Sequence, residues 1–161
     1  MDMDNEKKQL FTRRVTQANS TEMVVILYDM ALTFIDDAKV SLSGEDRDVD
    51  GFHSAIGSLQ GCMNELGNSL HPEYEIAGNI RQLYNYCLRE IAVAEARLDA
   101  DRLSEVEKVL KPLRDAFDQI SGENKNGPVM GNSQSIFAGL TYGKEELIES
   151  LSTNTNRGYL V

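Results

Sequence analysis

Four stretches of the chain repeat apolar residues at spacings of three and four, the period of an amphipathic α-helix. The first stretch covers residues 19–42 and opens with Asn19 and Glu22, a pair that predicts a capping box at the helix start. The others run from Phe52 to Leu70, from Ile76 to Leu98 and from Leu103 to Ile120. No stretch alternates apolar and polar residues as a half-buried strand does, so the pattern predicts four helices and no sheet.

The segments between these helices are short, covering residues 43–51, 71–75 and 99–101. Short connections make successive helices antiparallel. The sequence therefore predicts an all-α fold, an antiparallel up-down-up-down four-helix bundle over residues 19–120. Residues 1–18 are predicted to be an N-terminal cap segment. Residues 121–161 begin with a Gly-, Asn- and Ser-rich linker and continue as a marginally helical tail, a C-terminal appendage.

The first predicted helix carries two apolar stripes. Its core stripe consists of Met23, Leu27, Met30, Phe34 and Ala38, and a second stripe lies beside it. The core stripe predicted for the third helix consists of Ile76, Ile80, Leu83, Cys87, Ile91, Ala94 and Leu98. A similar extra line beside it consists of Tyr84, Leu88 and Ala92. We expect the extra apolar positions to form a partner-binding surface, namely Val24, Tyr28, Ala31, Ile35, Tyr84 and Leu88. The alternative is that the first helix is central and is covered by the N-terminal segment or the tail.

Charge and length narrow the class of protein. The chain has 161 residues, with 16 Lys and Arg against 26 Asp and Glu, a net charge of -10. This balance argues against nucleic acid or an anionic membrane as the partner. The sequence contains no apolar run of about 18 residues and no signal-peptide pattern at its start, so we expect a cytoplasmic protein without membrane insertion.

Few residues are arranged for chemistry. Asp46, Asp48 and Asp50 resemble the first half of a calcium loop, but Gly57 stands where a bidentate Glu is needed. We interpret this segment as a solvated loop whose last Asp caps the second helix.

The two cysteines, Cys62 and Cys87, fall on apolar stripes and are expected to be buried with a raised pKa. The two histidines, His53 and His71, have no metal-ligand spacing. We predict no catalytic residues, no metal site and no cofactor, and hence a protein that is not an enzyme.

The segment ANSTEMVVILYDMALTFIDDAK, residues 18–39, resembles the opening helix of the FliS-type flagellin-specific export chaperones, A-S-P-x-E-L-x-x-x-L-Y-D-G-A-L-x-F. The positions that fit are Leu27, Tyr28, Asp29, Ala31, Leu32 and Phe34. The segments LQGCMNEL, LYNYCLREI and LSEVEKVLKPLRDAF follow in the family's order and spacing, so the resemblance covers residues 15–120. Met30 and Pro112 depart from the family pattern, and Pro112 is expected to kink the fourth helix.

The resemblance implies a cytosolic four-helix bundle that binds the C-terminal segment of newly made flagellin and prevents its polymerisation before secretion. It also implies contact with the flagellar export gate. It further suggests that the N-terminal segment, with Leu10, Phe11 and Val15, is a displaceable cap over the binding groove. The rival hypothesis is a homodimeric helical-bundle module with a structural or signalling role, in which the second stripe is buried by self-association.

Overall fold

The computed structural model describes residues 5–18, 20–70, 72–73 and 75–125. Those residues form five α-helices and no strand, so the all-α prediction is confirmed for this part of the chain. The helices are α1 (Asn5–Gln17), α2 (Ser20–Ser41), α3 (Val49–Asn68), α4 (Glu75–Arg97) and α5 (Leu103–Lys125), with a 3-10 turn at Ala100–Arg102.

The helices differ from the prediction most at the two ends of the described part of the chain. The N-terminal cap segment is itself largely helical, as α1, although no residue of α1 is fully buried. The last helix continues through Pro112 and past the predicted end at Ile120 to Lys125, and Ser121 in that extension is buried. Asn19 of the predicted capping box lies outside the described residues. Of the predicted linker and tail, residues 121–161, the part from 126 to 161 also lies outside them.

Polar contacts show how neighbouring helices run. Arg14 of α1 donates to Asp29 of α2, whereas Lys7 lies near Asp37, so residue numbers rise along one helix as they fall along the other. The same reversal relates α2 to α5 and α3 to α4. The contacts that establish it are Lys39–Glu107 and Asp29–Arg114 for the first pair, and His53–Glu95 and Gly67–Arg81 for the second.

One hydrophobic core is shared by α2, α3, α4 and α5. Its largest fully buried side chains include Tyr28, Phe52, Leu59, Tyr84 and Leu110. α2 is the central helix, since it packs most extensively against α3 and α5 and also contacts α1. Among the described residues, no helix is both long enough and apolar enough to cross a lipid bilayer.

The start of α3 is capped by Asp48, whose carboxylate accepts a hydrogen bond of 2.9 Å from the backbone N–H of Gly51. The sequence had suggested the last Asp of the loop, Asp50, for this role, and that prediction was wrong by two residues. The backbone N–H of Asp48 also donates to the carbonyl of Ser41 at 2.7 Å, which ties the cap to the end of α2.

We expect Asp48→Ala to lower the free energy of unfolding by about 1 kcal/mol, because the first turn of α3 loses a hydrogen-bond acceptor. Chemical denaturation monitored by circular dichroism measures the change. Asp46→Ala removes an exposed carboxylate from the same loop and should alter stability by less than about 0.5 kcal/mol. Equal losses for the two variants would contradict the capping role.

Candidate functional site

The residues predicted to bind a partner lie mostly inside the protein. Five of them belong to the shared core and are fully or almost fully buried, namely Val24, Tyr28, Ala31, Ile35 and Tyr84. Leu88 is partly buried and packs against the edge of the core. The division of α2 into a core stripe and a partner stripe was therefore wrong, because the second stripe is the side of α2 that faces the core.

An aromatic cluster shows what these residues do. The Tyr28 and Tyr84 hydroxyls share a hydrogen bond in the core, and the two ring centroids are 6.5 Å apart. The Tyr28 ring also packs at 5.9 Å from the ring of Phe117. This cluster joins α2, α4 and α5, and it is inaccessible to a partner while the core is closed.

An apolar surface lies instead along α4. Ile76 and Leu83 are seven residues apart on one side of the helix and are 37% and 41% exposed. Glu90 continues the same line and forms an ion pair of 3.1 Å with Arg102, next to the start of α5. The line therefore runs along the edge of α4 that faces α5.

The facing side of α5 is apolar as well. Val109, Leu113 and Ile120 are partly buried and recur at helical spacing, away from the side of α5 that pairs with α2. The pKa of Lys108, on the exposed side of α5, is raised mainly by its hydrogen bond to Glu105. We use the name α4–α5 groove for this pair of apolar faces on neighbouring helices, defined by Ile76, Leu83, Val109, Leu113 and Ile120.

The sequence prediction had placed Ile76 and Leu83 in the core. The next heptad of the sequence distinguishes the exposed line of α4 from the buried one. The line through Ile76 and Leu83 continues to Glu90, whereas the line through Ala77 and Tyr84 continues to Ile91. A charged residue marks the outer line, and an apolar residue marks the buried one.

A second surface of interest lies beneath α1. Ile26 of α2 is only 2% exposed and yet is not part of the shared core. A cleft at the junction of α1, α2 and α5 is lined by Arg14, Gln17, Ile26 and Ser121, among others. α1 therefore covers a face of α2 that points away from the core, and we call it the covered face, with Ile26, Asp29 and Asp37.

Ion pairs hold the outer side of α2. Asp29 accepts hydrogen bonds of 2.8 Å from both Arg14 Nη2 and Arg114 Nε, and the bond to Asp29 is the main reason that the pKa of Arg114 is raised. Glu107 of α5 pairs with Lys39 and Lys111. Burial by itself would raise the pKa of Glu107, but these two lysines outweigh it and the pKa is lowered. The α2–α5 seam is thus lined by several charge pairs, whereas the α4–α5 groove is lined mainly by apolar side chains.

The thiols of the two cysteines are poorly placed for catalysis. Cys62 and Cys87 are buried, as predicted, and burial is the main cause that raises the pKa of each thiol to about 12. The nucleophilic thiolate is therefore scarce at neutral pH. In the described part of the chain, no group of three or more His, Cys, Asp or Glu side chains could hold a metal ion.

Comparison with known proteins identifies similar chains. Residues 3–124 match the family model described as Flagellar protein FliS, a match that includes α1 and nearly all of α5. A Flagellar secretion chaperone FliS from Bacillus subtilis (strain 168) is 28% identical over 113 residues, which is 70% of this chain and 84% of the relative. A protein of the same name from Salmonella typhimurium (strain LT2) is 32% identical over 110 residues, 66% of this chain and 80% of the relative.

Proposed function

The chain belongs to the FliS family of flagellar secretion chaperones, and we propose that it binds the C-terminal segment of flagellin in the cytosol and prevents its premature polymerisation. The terminal segments of flagellin are amphipathic and join other subunits as coiled coils in the filament. A chaperone for such a segment needs an apolar groove that can receive a helix, and it needs no catalytic residues.

The observation that carries this proposal is the α4–α5 groove. Two large apolar side chains, Ile76 and Leu83, are exposed there at heptad spacing, and partly buried apolar residues of α5 line the other wall. An amphipathic helix that lies in a groove uses anchors at this spacing. We propose that flagellin's apolar face packs between α4 and α5 and covers Ile76 and Leu83.

We further propose that α2 to α5 form the antiparallel four-helix bundle that presents this groove. Of the residues predicted from the sequence, Leu88 is the one that is not fully buried. It shares a line of α4 with Arg81 and Glu95, whose contacts are with α3, so we do not propose it as part of the α4–α5 groove. The five buried residues, Val24, Tyr28, Ala31, Ile35 and Tyr84, take part by holding α2, α4 and α5 in position.

α1 is proposed to be a displaceable cap over the covered face of α2. It is 13 residues long, contains no buried residue and forms ion pairs with α2 through Arg14 and Lys7. An isolated helix of this length is marginally stable in water, so its docking is weak. We propose that one part of the flagellin segment lies in the α4–α5 groove and that another part competes with α1 for the covered face of α2.

Deletion of residues 1–14 should tighten the binding of the flagellin C-terminal segment by about 3- to 30-fold, because the competing cap is removed. Lys7→Gln combined with Arg14→Gln should act in the same direction, since it weakens docking without shortening the chain. Lys8→Gln with Arg13→Gln removes two exposed charges from the same helix and serves as the matched control. Isothermal titration calorimetry measures the affinities, and identical values for all four proteins would contradict the cap.

The proposed function is tested by size-exclusion chromatography with light scattering on mixtures of the full chain and flagellin. We expect a stable 1:1 complex with intact flagellin and none with flagellin that lacks its C-terminal segment. A homodimer that is unchanged by flagellin would instead support the structural or signalling module. The homodimer hypothesis assumed that a second copy of the chain buries the second stripe of α2, but this stripe is buried within the single chain.

By analogy with the family, the complex is also proposed to contact the flagellar export gate, which would receive the chaperone with its cargo. The net charge of -10 supports a protein partner over nucleic acid or an anionic membrane surface.

A further inference from the structure

The covered face of α2 carries a carboxylate that α1 satisfies incompletely. Asp37 is 8% exposed, and its Oδ2 atom is buried without a hydrogen-bond partner among the described residues. Its Oδ1 atom lies 3.8 Å from Lys7 Nζ, which is too far for a hydrogen bond, and the Lys7 side chain is about half exposed. A buried carboxylate is costly unless donors surround it, so this position favours a ligand with a better-placed cation.

Asp29, about two turns earlier on α2, can also exchange one of its two hydrogen-bond donors for a donor of the partner. One carboxylate oxygen accepts from Arg14 of α1 and the other from Arg114 of α5, each at 2.8 Å. When α1 leaves, Arg114 remains with Asp29 because it belongs to α5. The oxygen that Arg14 releases can then accept a hydrogen bond from an incoming side chain.

The spacing of these two carboxylates defines a pattern in the ligand. Asp29 and Asp37 are eight residues apart, about 12 Å along a helix, and α1 meets them with side chains seven residues apart, about 10.5 Å. Residues seven apart lie on one face of a helix after two turns. Ile26 on the same face of α2 provides an apolar contact beside the charges.

We propose that the covered face binds a helical segment of the partner that carries two Lys or Arg side chains seven residues apart, in the positions now held by Lys7 and Arg14. This inference rests on the proposed function, since it specifies which part of an amphipathic flagellin helix replaces α1. Arg opposite Asp37 fits best, because its guanidinium can donate to both carboxylate oxygens at once. We expect a helix with acidic residues at these two positions not to bind the covered face.

The test is a calorimetric titration of the full chain and its variants with the C-terminal segment of flagellin at low and high NaCl concentration. Asp37→Asn keeps the side-chain volume and should weaken binding by about tenfold at low salt, with a smaller salt dependence than the native chain. Asp36→Asn removes an exposed carboxylate from the neighbouring position and should leave the affinity unchanged. Asp29→Asn is an independent second variant with the same expected direction as Asp37→Asn.

The direction in which Asp37→Asn changes the affinity for flagellin distinguishes this inference from the proposal that α1 is only a displaceable cap. Loss of the Asp37 charge also loosens α1, which by itself would tighten flagellin binding. Unchanged or tighter binding by both Asp37→Asn and Asp29→Asn would therefore overturn the inference and leave the proposed function intact. If the native chain fails to bind the segment, the proposed function is wrong and the inference falls with it.

A double-mutant cycle adds a readout that general destabilisation would not produce. Each Lys or Arg of the segment is replaced by Gln and titrated against both the native chain and Asp37→Asn. We expect one replacement to weaken binding to the native chain about tenfold and to have almost no further effect on Asp37→Asn. Additive effects at every cation would contradict a direct pairing with Asp37.

Discussion

Tyr28→Ala is expected to lower the free energy of unfolding by about 3 to 5 kcal/mol, because it removes a fully buried ring from the junction of α2, α4 and α5. The substitution also takes away the hydroxyl that pairs with Tyr84. Urea denaturation followed by circular dichroism gives the value. Since many domains are stable by only about 5 to 15 kcal/mol, the variant should be partly unfolded at moderate temperature.

Val40→Ala is the matched control on the same helix. Val40 is 56% exposed, so its truncation should change stability by less than about 0.5 kcal/mol. A small and equal effect for both variants would mean that Tyr28 lies on an open surface, as the stripe pattern first suggested. Tyr28 would then again be a candidate for direct contact with the partner.

Leu83→Glu is expected to weaken binding of the flagellin C-terminal segment by about 100-fold while leaving the fold intact. The complex would have to bury a carboxylate where the native chain offers an apolar anchor, and this cost comes in addition to the lost apolar contact. Leu83 is 41% exposed in the free protein, so unfolding should change much less than binding. Calorimetric titration and thermal melting of the same preparation separate the two effects.

Gln82→Glu introduces the same charge at the adjacent exposed position of α4 and should leave the affinity within about twofold. A parallel loss of affinity in both variants would indicate a long-range effect of charge. Full affinity in Leu83→Glu would place the flagellin site elsewhere on the protein.

Helical periodicity was enough to predict the fold class and most of the core, but not which apolar line of a helix faces inward. On α2 the lines Met23–Met30 and Val24–Ala31 look equally apolar over one heptad. The next heptad separates them, because the first line reaches Asp37 and the second reaches Ala38. Positions seven residues apart on an ideal helix also rotate by about 20° around the helix axis per heptad. Residues that follow a strict spacing of three and four therefore leave the core-facing side before a long helix ends.

The helix α1 and the covered face could not be predicted in the same way. The segment from Asn5 to Gln17 is short and largely polar, and few local signals mark it as a helix. Its contacts with α2, through Asp29 and Asp37, join residues 15 and 30 positions apart in the sequence. Such pairs are set by tertiary packing, and a single sequence gives no direct signal for them.

Amide hydrogen exchange of the full chain, with and without the flagellin C-terminal segment, tests the central claim most directly. We predict that binding protects α4 around Leu83 and α5 around Val109 and Leu113, and that α1 loses protection as it leaves the covered face. Protection confined to other surfaces, with α1 and the α4–α5 groove unchanged, would contradict the account.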